Sequence, residues 1–187
     1  MPKTALIPLA PGFEEMEGII LADVLRRGGV EVVTASISSG PIVAARKTIH
    51  LADKSLEEVS ELFFDLIVLP GGLEGTKNLQ SSKLLEQMVQ KKNERKALLG
   101  AICAAPNALR FWKIISGNDP FTAFPTSIHM TTGGVYKSER IVSHNHIHTS
   151  IGPGSAFEFS LFLLEKLQGI DIKNQVASNL YLPHYRE

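Results

Sequence analysis

Apolar residues in the first hundred positions follow two alternating patterns. Short and almost continuously apolar runs stand at TALIPLA (4–10), VEVVTASI (30–37), FDLIVLP (64–70) and KALLGAI (96–102). Runs of that kind predict strands covered on both faces. Between them the spacing changes to that of helices. EEMEGIILADVLRRGG (14–29) pairs Ile20 with Val24 and Leu21 with Leu25, and Gly28 and Gly29 predict its stop. SSKLLEQMVQKKN (81–93) repeats the pattern through Leu84, Leu85, Met88 and Val89, and SLEEV (55–59) opens with a capping box, Ser55 to Glu58. Strand–helix alternation requires crossover connections, hence an α/β chain with a doubly wound, mostly parallel sheet and helices on both faces.

The remaining segments modify that frame. Residues 41–51 predict a short hairpin added to the sheet. RIVSHNHIHTS (140–150) predicts two short strands turning near His144 and Asn145. GPGSAFEFSLFLLEKLQG (152–169) predicts a helix opened by a second capping box, Ser155 with Glu158, and ended by Gly169. DIKNQVASNLYL (171–182) predicts a last helix capped by Asp171. No linker, repeat or low-complexity stretch divides the chain, so a single domain is expected over 1–187.

Composition narrows the class without choosing a function. The chain has 187 residues, 44% hydrophobic and 20% charged, with nineteen basic side chains against nineteen acidic ones. That balance offers no basic face for nucleic acid and no polybasic patch for a membrane. The apolar start is broken by Pro8 and Pro11 and is too short for a signal segment or a membrane span. One cysteine makes no internal disulfide. A cytoplasmic protein is the expectation.

That one cysteine carries the candidate chemistry. Cys103 stands in ALLGAICAAP (97–106), where a strand stops and AAPNALRFW (104–112) starts a helix with proline in its first turn. A tight strand-to-helix turn pushes its residue outward, and the small neighbours such a turn needs are Ala101 and Ala105. A helix N-terminus beside the sulfur is expected to lower the thiol pKa. Ligands of parallel sheets bind beyond the carboxyl ends of the strands. Two more loops fall at that edge, LAPGFEEME (9–17) and LPGGLEG (69–75). Together the three loops predict a pocket.

Four ordered motifs, LAPGFEEMEG (9–18), VLPGG (68–72), AICAAP (101–106) and GPGSAFEF (152–159), resemble those of the ThiJ/PfpI superfamily. The resemblance is to the branch of the parkinsonism-associated protein deglycase and the bacterial YajL-type proteins, and it spans residues 5–182. It implies a flavodoxin-like fold, a homodimer, and Cys103 as the reactive thiol. It also implies that Glu17 is the carboxyl group that hydrogen-bonds the cysteine and moves protons. Gly71 and Gly72 would bring a backbone N–H to the site, and with the N–H of Ala104 the Gly72 amide would form an oxyanion hole. Arg46 matches an arginine placed near the neighbouring subunit's site, and Arg46, Gly71 and Phe124 are the expected substrate or anion contacts. Ala104 occupies the place of a peptidase-type histidine, and Phe124 stands where deglycase relatives carry one, so Glu17 is left as the proton carrier. Ile151 replaces a polar or basic residue before GPG.

The implied function is a cofactor-free, cysteine-dependent deglycase or glyoxalase. It would turn methylglyoxal to lactate, or act on other small aldehydes or on glycated proteins and nucleotides. The alternative is a redox-sensing chaperone acting through oxidation of Cys103. His144, His146 and His148 alternate and are read as an exposed, half-polar strand face, with no metal expected there. His50 and His129 give no signal.

Overall fold

A strand in a parallel sheet is recognised by what covers it, and each apolar run of the first half is covered on both sides. The computed structural model describes residues 2–182; Met1 and residues 183–187 of the expected single domain lie outside them. The chain begins with β1 (Thr4–Leu9), α1 (Glu15–Arg27) and β2 (Glu31–Ser36). A hairpin, β3 (Ile42–Val43) with β4 (Ile49–His50), and the short β5 (Lys54–Ser55) lead to α2 (Leu56–Val59). Then come β6 (Leu66–Leu69), α3 (Leu73–Ser81), α4 (Lys83–Glu94), β7 (Leu98–Ile102) and α5 (Pro106–Phe111). The last third holds β8 (Pro120–Phe121), β9 (Val135–Tyr136), β10 (Ile141–His144), β11 (Ile147–Ser150), α6 (Ala156–Gln168) and α7 (Ile170–Asn179).

Seven strands form the main sheet in the order β10-β11-β7-β6-β1-β2-β5, parallel throughout except for the β10–β11 pair. This is the flavodoxin-like, mostly parallel sheet that the sequence predicts, and the antiparallel β3–β4 hairpin stands apart as its addition. Alternate residues of β1 serve two cores. Ala5, Ile7 and Leu9 face α1 and α6 with Leu21, Leu25, Phe159 and Leu163. Leu6 faces the other layer, where Leu79, Leu85, Val89 and Leu109 pack. Every one of these side chains is at most 2% exposed.

Caps decide where helices start, and one of the three expected caps forms. Ser55 and Glu58 make their reciprocal box around α2. Ser155 does not cap α6. Its Oγ bonds Ser150 Oγ at 2.6 Å and donates to Gly152 O at 2.8 Å, while Glu158 pairs with Arg140. Asp171 does not cap α7 either, because Gly169 (φ 90°) serves as both the end of α6 and the N-cap of α7. Asp171 sits in the first turn instead, where its charge suits the helix dipole.

The two histidine-rich strands turn at Asn145 (φ 54°), as expected. The exposed histidine face does not form. β11 lies between β10 and β7, so His148 is buried beneath α6, edge-on to Phe162 and bonded to Ser143. His146 bonds Asn93 and His144 lies near Asp119, so the three rings have separate surroundings.

Candidate active site

The carboxyl ends of β1, β6 and β7 bring three loops together, as their order in the sheet requires. Cys103 follows β7 directly and holds φ at 62°, a left-handed conformation that a non-glycine residue adopts only when its surroundings impose it. Those constraints are visible. Cys103 N–H donates to Ser150 O at 2.9 Å, Phe124 N–H donates to Cys103 O at 2.8 Å, and Ala105 N–H donates to Ile102 O at 3.0 Å. Ala101, Ala104 and Ala105 are fully buried around the turn, leaving no room for larger side chains.

Glu17 comes from the first turn of α1 and is 0% exposed. Its Oε2 accepts the Gly71 N–H at 2.7 Å, which ties the first loop to the second. Gly71 is glycine for a steric reason. A Cβ there would stand 2.7 Å from Cys103 Cβ and 2.8 Å from both Glu17 Oε2 and Ile102 O. Gly71→Ala is therefore expected to wedge Cys103 away from Glu17. The measurable result is a fall in Cys103 alkylation rate of about tenfold or more, with a stability loss of about 1–3 kcal/mol from overpacking.

The sulfur and the carboxyl group influence one another strongly. Burial pushes Glu17 up to about 7, against the pull of the Gly71 N–H and of Cys103. Burial also pushes the Cys103 thiol up, and the neighbouring Glu17 charge pushes it further, while the N–H groups of Gly72 and Ala104 reach the sulfur and pull it back. The lowered thiol pKa expected from a helix N-terminus does not arise. α5 has only six residues and little dipole to offer, and desolvation outweighs it. Among the described residues Glu17 Oε1 has no well-formed hydrogen bond, and the Cys103 thiol lies near enough to pull the carboxyl group down in part. Two groups this close titrate as one unit. With Glu17 raised to about 7 and the thiol pushed up by burial and by the Glu17 charge, the carboxyl group gives up its proton before the thiol does.

A cleft of about 290 Å³ opens above the sulfur, lined by Glu14, Arg46, Gly72, Leu73, Cys103 and Phe124 among others. Arg46, Gly72, Cys103 and Phe124 meet there, with Glu17, Gly71 and Ala104 immediately beneath, so Arg46 stands at the cleft of its own chain. Ile151 is not part of its lining. Glu14 and Glu15 are both buried. Glu15 accepts the Arg46 N–H at 2.9 Å and the Thr48 hydroxyl at 3.0 Å, so it holds the β3–β4 turn against the site. Arg110 gives no sequence signal, yet its guanidinium binds Gly133 O, Ile128 O, Thr131 O and Asn107 Oδ1 and lies 4.4 Å over Phe121. That staple fixes the loop that follows Phe124.

Comparison with known proteins settles the ancestry of this arrangement. Residues 3–166 match the DJ-1/PfpI family. The chain belongs to that family. Protein dj-1beta of Drosophila melanogaster is 37% identical over 98% of this chain and 100% of its own, and its crystal structure superimposes with a TM-score of 0.93 over 97% and 99% of the two chains. The glutathione-independent glyoxalase DJR-1.2 of Caenorhabditis elegans is 35% identical over 96% and 97%. An oxidized Toxoplasma gondii DJ-1 structure is 31% identical, covers 97% and 99%, and has a TM-score of 0.91. Membership in the DJ-1/PfpI family supports a stress-protection role of the DJ-1 type. Among the described residues no helix is long and apolar enough to cross a membrane.

Proposed function

We propose that the chain is a cofactor-free, cysteine-dependent enzyme that converts 2-oxoaldehydes such as methylglyoxal to 2-hydroxy acids, and acts likewise on early glycation adducts. The observation that carries this reading is the Cys103 thiol set beside the buried Glu17 carboxyl group at the floor of an open cleft. Glu17 takes the thiol proton and the sulfur adds to the aldehyde carbon. The new alkoxide is held by the Gly72 and Ala104 N–H groups and receives its proton back from Glu17. Glu17 then removes the hydrogen from the former aldehyde carbon and returns it to the adjacent ketone carbon. One carbon is oxidised as its neighbour is reduced, so no external oxidant enters. Water cleaves the resulting thioester, giving lactate and the free thiol. Phe124 supplies no base, so each proton passes through Glu17. Arg46, exposed at the rim, attracts the developing anion.

The test is lactate release from methylglyoxal, run on parent and Cys103→Ser together. Release by the parent and a loss of about a thousandfold or more in the variant are expected; equal rates would remove Cys103 from the mechanism. A glyoxalase among the relatives supports this reading.

The same donors favour a second role. Two equivalents of peroxide would take the thiolate to a sulfinate and two waters, and its oxygens would meet the Gly72 and Ala104 N–H groups and a protonated Glu17. Mass spectrometry after mild peroxide should then find a stable two-oxygen adduct on Cys103 that forms less readily in Glu17→Ala. An oxidized relative is in keeping with such a state.

The reading includes a homodimer in the cytoplasm. Met16 and Ile19 on α1, Val43 and Ile49 on the hairpin, and Leu51 beyond it are 44–77% exposed. A second copy covering them would also reach Arg46. Met16→Glu should turn the dimer into a monomer in sedimentation, and a parent that already sediments as a monomer would refute this part of the reading.

A further inference from the structure

At the opposite, amino-terminal edge of the sheet, α4 places a lysine where its apolar stripe runs. Lys92 follows Met88 and Val89 by one turn and is only 5% exposed. Its Nζ is buried and has no hydrogen-bond partner among the described residues. The nearby carboxylate of Asp65 is already engaged, by Lys3 Nζ at 2.9 Å and by the Thr4 N–H and hydroxyl. The ammonium rests 4.5 Å from the centroid of the Phe63 ring, which is itself 57% exposed. A buried, unpaired ammonium is costly, and a cation–π contact of about 1–2 kcal/mol repays only part of that.

The surroundings indicate what would pair with it. A cleft of about 110 Å³ lies against Lys92, walled by Phe63, Phe64, Ile67 and Met88. Lys91 and Arg95 stand at its rim against a single acid, Glu61, so the rim is cationic and the walls apolar. The charges acting on Lys92 itself are Asp65, Arg95 and Lys3, two of the three repelling it. We propose that this cleft binds a small monocarboxylate with a short apolar tail, its carboxylate pairing with Lys92 Nζ when the Phe63 ring turns aside. A cavity of about 150 Å³ accepts benzene, so a tail of about four carbons is the size that fits. Burial holds the Lys92 amine down at about 8. It therefore still carries its proton at neutral pH, and a paired carboxylate would raise it again.

Pentanoate is the probe, with acetate (same charge, no tail) and pentan-1-ol (same tail, no charge) beside it. The titration of Lys92 is followed through its ¹³Cε resonance, assigned by its absence in Lys92→Met. Saturating pentanoate is expected to raise the proton affinity of Lys92 about tenfold, and pentan-1-ol to leave it where it is. Calorimetry should show pentanoate binding weakened about tenfold or more in Lys92→Met, which keeps the apolar stem, with Cys103 alkylation unchanged. A Lys92 midpoint unmoved by pentanoate, one moved equally by pentan-1-ol or acetate, or undiminished binding to the variant would overturn the proposal. If Lys92→Met does not fold, resonances assigned through the chain allow the titration of the parent to decide alone.

Discussion

Replacing Glu17 by glutamine is expected to make the fold more stable in mild alkali while removing the chemistry. The sign follows from the raised pKa. A carboxyl group near 4.5 when unfolded and about 7 when folded is favoured by the fold in its protonated form. Its contribution is fully present below 4.5 and is lost as the pH rises through 7. The loss amounts to about 3 kcal/mol. Glutamine keeps an oxygen for the Gly71 N–H and never ionises. In a chain of this length 1 kcal/mol moves the melting temperature by about 2–4 °C. The melting difference between Glu17→Gln and the parent should therefore grow by roughly 6–12 °C between pH 4.5 and pH 8. A constant difference would mean that Glu17 is not ionising inside the fold.

The same variant separates a thiol served by Glu17 from a lone thiol. In the parent, iodoacetamide alkylation of Cys103 should rise with pH around a midpoint of about 7, because Glu17 must lose its own proton before it can take the thiol's. In Glu17→Gln that step should vanish. Burial remains and the proton acceptor is gone, so the midpoint should move above the ordinary thiol value of about 8.5. Lactate release should fall with it, since Glu17 is the carboxyl group held against Gly71 beside the sulfur.

The sheet was legible because burial on both faces leaves a signature that short sequence windows contain. The four apolar runs became β1, β2, β6 and β7, and the glycines after α1 and α6 stopped those helices. The elbow was legible for a related reason: a strand end, small neighbours and a proline are all local. What depends on a distant partner was not. Nothing in EEME tells Glu15 that a hairpin turn thirty residues on will offer it the Arg46 N–H. Ser155 had the right spacing for a capping box, but Ser150, brought beside it by β11, claimed its hydroxyl. The acidity of Cys103 was misjudged in the same way. The turn was visible and the desolvation was not. Lys92 could have been found, since it falls on the stripe of Met88 and Val89, but a lysine there reads first as part of the polar face.

Gly72→Ala should be the most damaging single change of a small residue in the site, and for two separable reasons. Gly72 holds φ 86° and ψ 130°, a conformation that disfavours any side chain. An added Cβ would also stand 2.3 Å from Gly12 O, 2.8 Å from Glu14 N and 3.0 Å from the Phe13 carbonyl carbon. All of these are backbone atoms and cannot swing away as a side chain end would. Conformational strain and overpacking each cost about 1–3 kcal/mol, giving a total of about 4 kcal/mol, a large share of a typical domain's stability. Denaturant melts should detect it directly. The functional loss should exceed the loss of folded protein. The first loop can relieve the clash only by moving off the second, which draws the Gly72 N–H away from the sulfur and Glu17 away from Gly71. Cys103 alkylation per folded molecule should fall at least as far as in Gly71→Ala. A variant that alkylates normally once folded would show that the loops hold their places without the glycine, and that the sulfur owes its reactivity to some other donor.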